Sequence, residues 1–285
     1  MGAEEKAAGK AAEHVIARAV EGAGVREAET LVGRIERAGA QSVQDAEKLA
    51  VKDALARGES RTPQQLLHDM EAEQASRLTA SQRERVAATL EAARRNEQVI
   101  TPKLQDVASR TGLRMEGLDF SVKSQGSLER KLGGKLPDVA TDIGRHDRLF
   151  ADELDRTNDV VRYTMVAPEG EYATATNRAM QSMEQQGFVK EAVKDNWANP
   201  TGYRGVNSTW LDPATGQRFE MQFHTPESLA AKEVTHPIYD FSRVADPQMS
   251  SRFNDLQNKV FDMVPVPAGT SGGGNPRWLG AGDTS

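Results

Sequence analysis

The sequence predicts an α+β protein, a β-sheet flanked by helices and preceded by an all-helical N-terminal extension. Three observations carry this. Residues 4–57 are rich in Ala, Glu, Lys and Arg, all good helix formers. The aromatic residues are concentrated from Phe120 onward, which places the packed core in the second half. Two strand-like runs, 203–211 and 218–225, flank the turn Asp212-Pro213-Ala214-Thr215-Gly216. In the second run Phe219, Met221 and Phe223 alternate with Glu220, Gln222 and His224. A period of two puts an apolar row on one face and an acid, an amide and an imidazole on the other. A half-buried strand explains the first row but does not require the second. The polar face therefore reads as the wall of a site.

At 285 residues the chain has room for one full-sized domain and a smaller module. The division expected is a weakly packed helical region over 1–60, a main domain with its leading helices over 61–264, and a disordered Gly/Pro/Ser tail over 265–285. A net charge of −6 argues against a general nucleic-acid coat protein and leaves room for a local basic pocket. Without cysteine, neither a disulfide framework nor a thiolate metal site is possible. No long apolar run suggests a membrane span. The N-terminus lacks an apolar signal region, so a cytoplasmic protein is expected, or one exported without a cleavable signal peptide.

Taken in order, Gly22, Gly24 and Gly39 should cut the first region into short helices. Thr62-Pro63-Gln64-Gln65 combines a cap, a first-turn proline and a glutamine three residues after the cap. Ser81 to Glu84 repeats that logic and opens a helix towards Val99; Thr101-Pro102 should start another, ending at Gly112. Residues 118–124 read as a first strand, 127–132 as a helix and 160–166 as a second strand. Residues 171–186 carry Tyr172, Ala175, Ala179 and Met183 at helical spacing, with Gly187 as the stop. A third strand is expected over 188–193. A helix from Pro226 should kink or end at Pro237, and 248–263 should form the last, amphipathic helix.

Certain short motifs, in this order, resemble those of RelA/SpoT-type alarmone synthetase domains. Gly202-Tyr203-Arg204-Gly205-Val206-Asn207 followed by Glu220-Met221-Gln222-Phe223-His224-Thr225 is similar to that family's paired strand signature. Lys123-Ser-Gln-Gly-Ser127-Leu-Glu-Arg130-Lys131 looks like its K-x-x-x-S-x-x-R-K run, and Val193-Lys194-Asp195 with Pro200 resembles the approach to the tyrosine. A set of secreted or phage-associated toxin domains carries a still more similar DxxRYT…EFQFHTPxS pattern, here Asp159 to Thr164 and Glu220 to Ser228.

The resemblance implies a mixed-sheet, nucleotidyltransferase-like synthetase domain. It implies a pyrophosphokinase that moves pyrophosphate from ATP, with Mg²⁺, to the 3′-hydroxyl of a nucleotide or of a tRNA 3′ end. Such transfer needs carboxylates to hold the metal and activate the hydroxyl. Glu220 and Asp159 take these catalytic and metal roles. Lys123, Ser127, Arg130, Lys131 and Arg162 would hold ATP phosphates. Tyr203 would stack on the acceptor base, with Lys194, Asn207, Gln222 and His224 around it. The variant pattern implies a growth-inhibiting toxin or effector, with a cognate immunity or antitoxin protein as partner.

Two departures stand out: Ser121 replaces an arginine, and Asn207 a histidine. They keep open a non-catalytic nucleotide- or partner-binding module on the same fold. An ADP-ribosyltransferase is the other alternative, although Ser208-Thr209 is followed by Glu220 and Gln222 rather than by two acids. His146-Asp147 reads as part of a loop, and His224 and His236 as core or surface residues before metal ligands.

Overall fold

The computed structural model describes residues 30–58, 62–137, 142–197 and 202–270. Gly22, Gly24, Pro200 and residues 271–285 of the expected tail lie outside them. Helix α1 is Leu31–Ala56, α2 Pro63–Ser76 and α3 Ala80–Thr111. Strand β1 (Arg114–Glu116) leads through one 3₁₀ turn to α4 (Gln125–Gly133) and α5 (Ile143–Asp155). Then follow β2 (Arg162–Val166), α6 (Tyr172–Gln185), β3 (Val189–Asp195), β4 (Val206–Asp212) and β5 (Gln217–His224). Helices α7 (Pro226–Val244) and α8 (Pro247–Phe261) close the chain. The architecture is α+β, as expected. The sheet is mixed, in the order β1-β2-β5-β4-β3, with β2 and β5 parallel and the other pairs antiparallel.

The apolar row of β5 does what its period requires. Phe219, Met221 and Phe223 are fully buried with Tyr163, Met165 and Trp210 from the adjacent strands. Phe188 and Tyr163 meet Phe219 edge to face, at 5.2 and 5.7 Å between centroids. Helices α3 and α6 pack together on the same core, through Leu104, Val107, Ala179 and Met183.

Several boundaries differ from expectation, each for a local reason. Residues 118–124 are not a strand: Leu118–Phe120 is a 3₁₀ turn and only Val122 bridges Val161. The true first strand is the three-residue β1. The cap of α3 is Thr79, two residues before Ser81, with Gln82 completing a capping box. Pro102 does not start a helix, and Pro237 does not end one; both lie inside continuous helices. An internal proline costs about 3 kcal/mol. Ile100 and Leu104 around the first, and Ile238 and Phe241 around the second, bury enough apolar surface to offset it.

Nor does Gly39 break α1. A Cβ there would lie 2.2 Å from Cγ1 of Val234. The small residues of α1 let it lie close against α7, where Ala46 joins Ile238, Phe241, Met249 and Phe253 in a second core. Sparse apolar content thus gives close packing here, where weak packing is expected. At the other end, residues 265–270 are not loose: Thr270 is buried and its hydroxyl donates to Pro267 O. No helix of the described residues is long and apolar enough to cross a membrane.

Candidate functional site

The strand register assembles the polar face. Parallel pairing sets Arg162 beside Glu220 and Thr164 beside Gln222, and antiparallel pairing continues the rows to Thr209 and Asn207 on β4 and Lys194 on β3. Because side chains alternate, all of these share one face.

At one end of this face, cations crowd an acid. Asp159, just before β2, lies 2.5 Å from Lys131 Nζ and 3.3 Å from both Lys123 Nζ and Arg162 Nη2. Burial alone would raise its pKa. Lys123, Lys131 and Arg162 outweigh that and hold the carboxyl well below the usual range. Arg162 also reaches the second acid, with Nε 3.3 Å from Glu220 Oε1. One guanidinium therefore joins the two carboxylates that the sequence singles out. Lys123 arrives because backbone bonds tie 121–123 to 160–162: Lys123 N donates to Val160 O and Arg162 N to Ser121 O. Lys131 arrives on α4.

Arg130, the next residue on that helix, does not join the cluster. It pairs with Glu71 of α2 at 3.0 Å and donates to Ser127 Oγ at 3.0 Å. Neighbouring helical residues project about 100° apart, so Arg130 and Lys131 serve different surroundings. Ser121 is buried and donates to Glu97, away from the cations.

The other end of the face is organised by Tyr203. Its hydroxyl donates to Asn207 Oδ1 at 2.7 Å and lies 2.8 Å from His224 Nε2. The His224 ring packs edge-on to Tyr203, has no exposed surface, and meets Ser228 Oγ through Nδ1 at 2.8 Å. Burial, with the nearby Lys232 charge, lowers the imidazole well below its ordinary pKa, so His224 is neutral. Burial likewise raises the Tyr203 phenol, with Glu220 adding to the effect. His224, expected beside the acceptor, has no exposed surface and meets the polar face through the Tyr203 hydroxyl. Gly205 makes this approach possible: at φ +143°, a Cβ there would stand 2.9 Å from Phe223 O and 3.1 Å from the His224 ring.

The structure adds one residue that the sequence did not announce. Lys232 on α7 donates to Gln222 Oε1 at 2.7 Å, and Gln222 Nε2 donates to Glu220 Oε1 at 2.7 Å. Ser228 and Lys232 are one helical turn apart and meet His224 and Gln222, two strand residues apart. A turn of helix and a two-residue strand step are both about 6 Å, so the two elements match. Burial, helped by the Arg162 charge and opposed by Glu233 and Glu220, lowers the Lys232 ammonium to about 8. In the sequence Lys232 is the lone lysine of its helix, and only its place four residues after Ser228 hints at it.

No group of three or more His, Cys, Asp and Glu residues converges among the described residues. The acids here are two, Asp159 and Glu220. Mg²⁺ is commonly held by one or two carboxylates together with water and substrate phosphates, so this donor set fits a nucleotide-borne Mg²⁺ rather than a resident cage.

Solved structures similar to this chain include the small alarmone synthetase 1 from Bacillus subtilis bound to its product pppGpp. That likeness has a TM-score of 0.40 and 13% identity, and covers 62% of this chain and 91% of that one. A second, smu.1046c from Streptococcus mutans UA159, has a TM-score of 0.31 and 13% identity, covering 59% and 89%. No family model and no curated protein matches the chain.

Proposed function

We propose that this protein transfers pyrophosphate from ATP to a ribose 3′-hydroxyl. The observation that carries this reading is the Arg162 guanidinium, shared by Asp159 and Glu220 at the edge of a cation cluster. Phosphoryl and pyrophosphoryl transfer is mostly positioning and charge stabilisation. Lys123, Lys131 and Arg162 converge on one carboxylate, and an ATP polyphosphate is the anion that would replace it. Mg²⁺ arriving with ATP would be held by Asp159 and Glu220 and would neutralise charge on the phosphates.

Tyr203, braced by Asn207 and His224, offers its ring to the acceptor base. Glu220 takes the proton of the acceptor hydroxyl as its oxygen bonds to the β-phosphorus and the bond from that phosphorus to the α-phosphate oxygen breaks. The β- and γ-phosphates move together and AMP leaves. Lys194 and Asn207, in line with Gln222 across the sheet, would line the acceptor's path. A growth-inhibiting role, with an immunity or antitoxin protein as its partner, agrees with the toxin-like variant motif.

The test incubates the protein and Glu220→Gln with ATP labelled in the γ-phosphate, Mg²⁺, and guanine nucleotides, adenine nucleotides or tRNA. Expected is a labelled product on one acceptor class, reduced at least about 100-fold by Glu220→Gln. The same lack of product from both proteins across all acceptors would overturn the reading. Nucleotide binding insensitive to Mg²⁺ would then mark a non-catalytic module.

A further inference from the structure

We propose that Lys232 is a positioning residue for Glu220: through the Gln222 amide it anchors one carboxylate oxygen. The reactive role of Glu220 rests on the function proposed above; the geometry of the relay does not.

An ammonium has only donors, and a carboxylate only acceptors. The Gln222 amide sits between them, with its oxygen 2.7 Å from Lys232 Nζ and its nitrogen 2.7 Å from Glu220 Oε1. Rotated by half a turn, it would set NH₂ against NH₃⁺ and a carbonyl against a carboxylate. Lys232 therefore fixes which way the amide points, and the amide fixes which oxygen of Glu220 is held. Arg162 Nε approaches that same oxygen, at 3.3 Å. The contacts from Gln222 and from Arg162 Nε thus fall on the same oxygen, Oε1. The carboxylate is tethered through Oε1. The neighbours across from Glu220 and Gln222 on β4 are Thr209 and Asn207, neither of them a charge that could take over. Lys232 is itself fixed by the match between α7 and β5, since Ser228 one turn earlier is locked to His224 and to the Thr225 backbone.

The test reads the relay directly and activity separately. In protein labelled with ¹⁵N in glutamine side chains, Gln222→Met identifies the Gln222 NH₂ signal. Expected is a shifted, slowly exchanging pair in the unmodified protein and in Lys232→Arg, whose guanidinium can also donate to the amide oxygen. In Lys232→Met the pair shifts and exchanges faster, because the amide oxygen loses the partner that fixes its orientation. In the transfer assay Lys232→Met should lower kcat roughly 10–100-fold with little change in KM for ATP, the range expected for a residue that orients a reacting group. Lys232→Arg should recover most of that loss. Should Lys232→Met fail to fold, Lys232→Gln removes the charge with less apolar bulk and carries the same comparison. A Gln222 signal that does not respond to loss of Lys232 overturns the relay, whatever the activity. A signal that responds while no acceptor is ever modified upholds the relay and overturns the pyrophosphokinase reading.

Discussion

The hydroxyl of Tyr203 lies 2.8 Å from Nε2 of His224, an imidazole with no exposed surface. A phenol exposed in part is thereby tied to a ring that solvent cannot reach. The Tyr203 end of the polar face is braced from inside the sheet rather than from its rim.

This brace gives a pH dependence. The folded pKa of His224 lies well below its ordinary value near 6.5, so below that value the unfolded chain binds a proton that the folded chain refuses. The contribution is present above pH 6.5 and is lost as pH falls, by up to about 1.4 kcal/mol per pH unit. Urea unfolding between pH 7.5 and 5 should show this slope, and His224→Gln should remove it.

Asp159 behaves in the opposite sense to an isolated buried acid. With its pKa depressed, it stabilises the fold above its unfolded value near 3.8, and the effect fades as pH drops below that. Asp159→Asn leaves Lys123, Lys131 and Arg162 facing one another. Stability near pH 7 should fall by about 3–5 kcal/mol, and tripolyphosphate should raise the Tm of the variant more than that of the parent. An equal response in the two proteins would mean that the cations do not bind phosphate together.

Arg130 offers a test of how the N-terminal helices touch the site. Its partner Glu71 sits on α2, and both side chains are largely covered. Glu71→Gln should release the guanidinium and lower the Kd for ATP by about 3- to 10-fold, the scale of one charge-assisted bond. An unchanged Kd by calorimetry would assign Arg130 to helix docking alone.

Gly39 is the point where α1 meets α7. Gly39→Ala places a methyl group within 2.2 Å of Val234 Cγ1, and overpacking of this kind costs about 1–3 kcal/mol. Pairing it with Val234→Ala should recover much of the loss, because the two side chains compete for one space. Chemical denaturation of the two single variants and the double variant measures the coupling.

The alternation from Phe219 to His224 was legible because its polar and apolar rows differ so sharply in chemistry. The pairing of Arg162 with Glu220 was not, since nothing local states that β2 and β5 are parallel neighbours. Pro102 and Pro237 misled because a proline's local cost is visible in sequence, whereas the burial of Ile100, Leu104, Ile238 and Phe241 is a property of the assembled helices. Strand β1 was missed because three residues, Arg114 to Glu116, carry too short a pattern to show a period. Lys232 is the clearest case. Its meaning comes from a helix turn landing opposite a strand step, which no spacing within a single element reveals.

The parallel pairing of β2 with β5 also sets the order in which the chemistry can come into being. Helix α6 and strands β3 and β4 all lie between them in the chain. A nascent chain that has reached β2 already carries Lys123, Lys131, Asp159 and Arg162, but it has no Glu220 and no Tyr203. The cation-bearing half therefore exists on the ribosome before the half that carries Glu220 and Tyr203, and a chain cut short before β5 holds the cluster around Asp159 without either. Only completion of the long-range strand pairing, a slow kind of contact to form, brings the two halves onto one face.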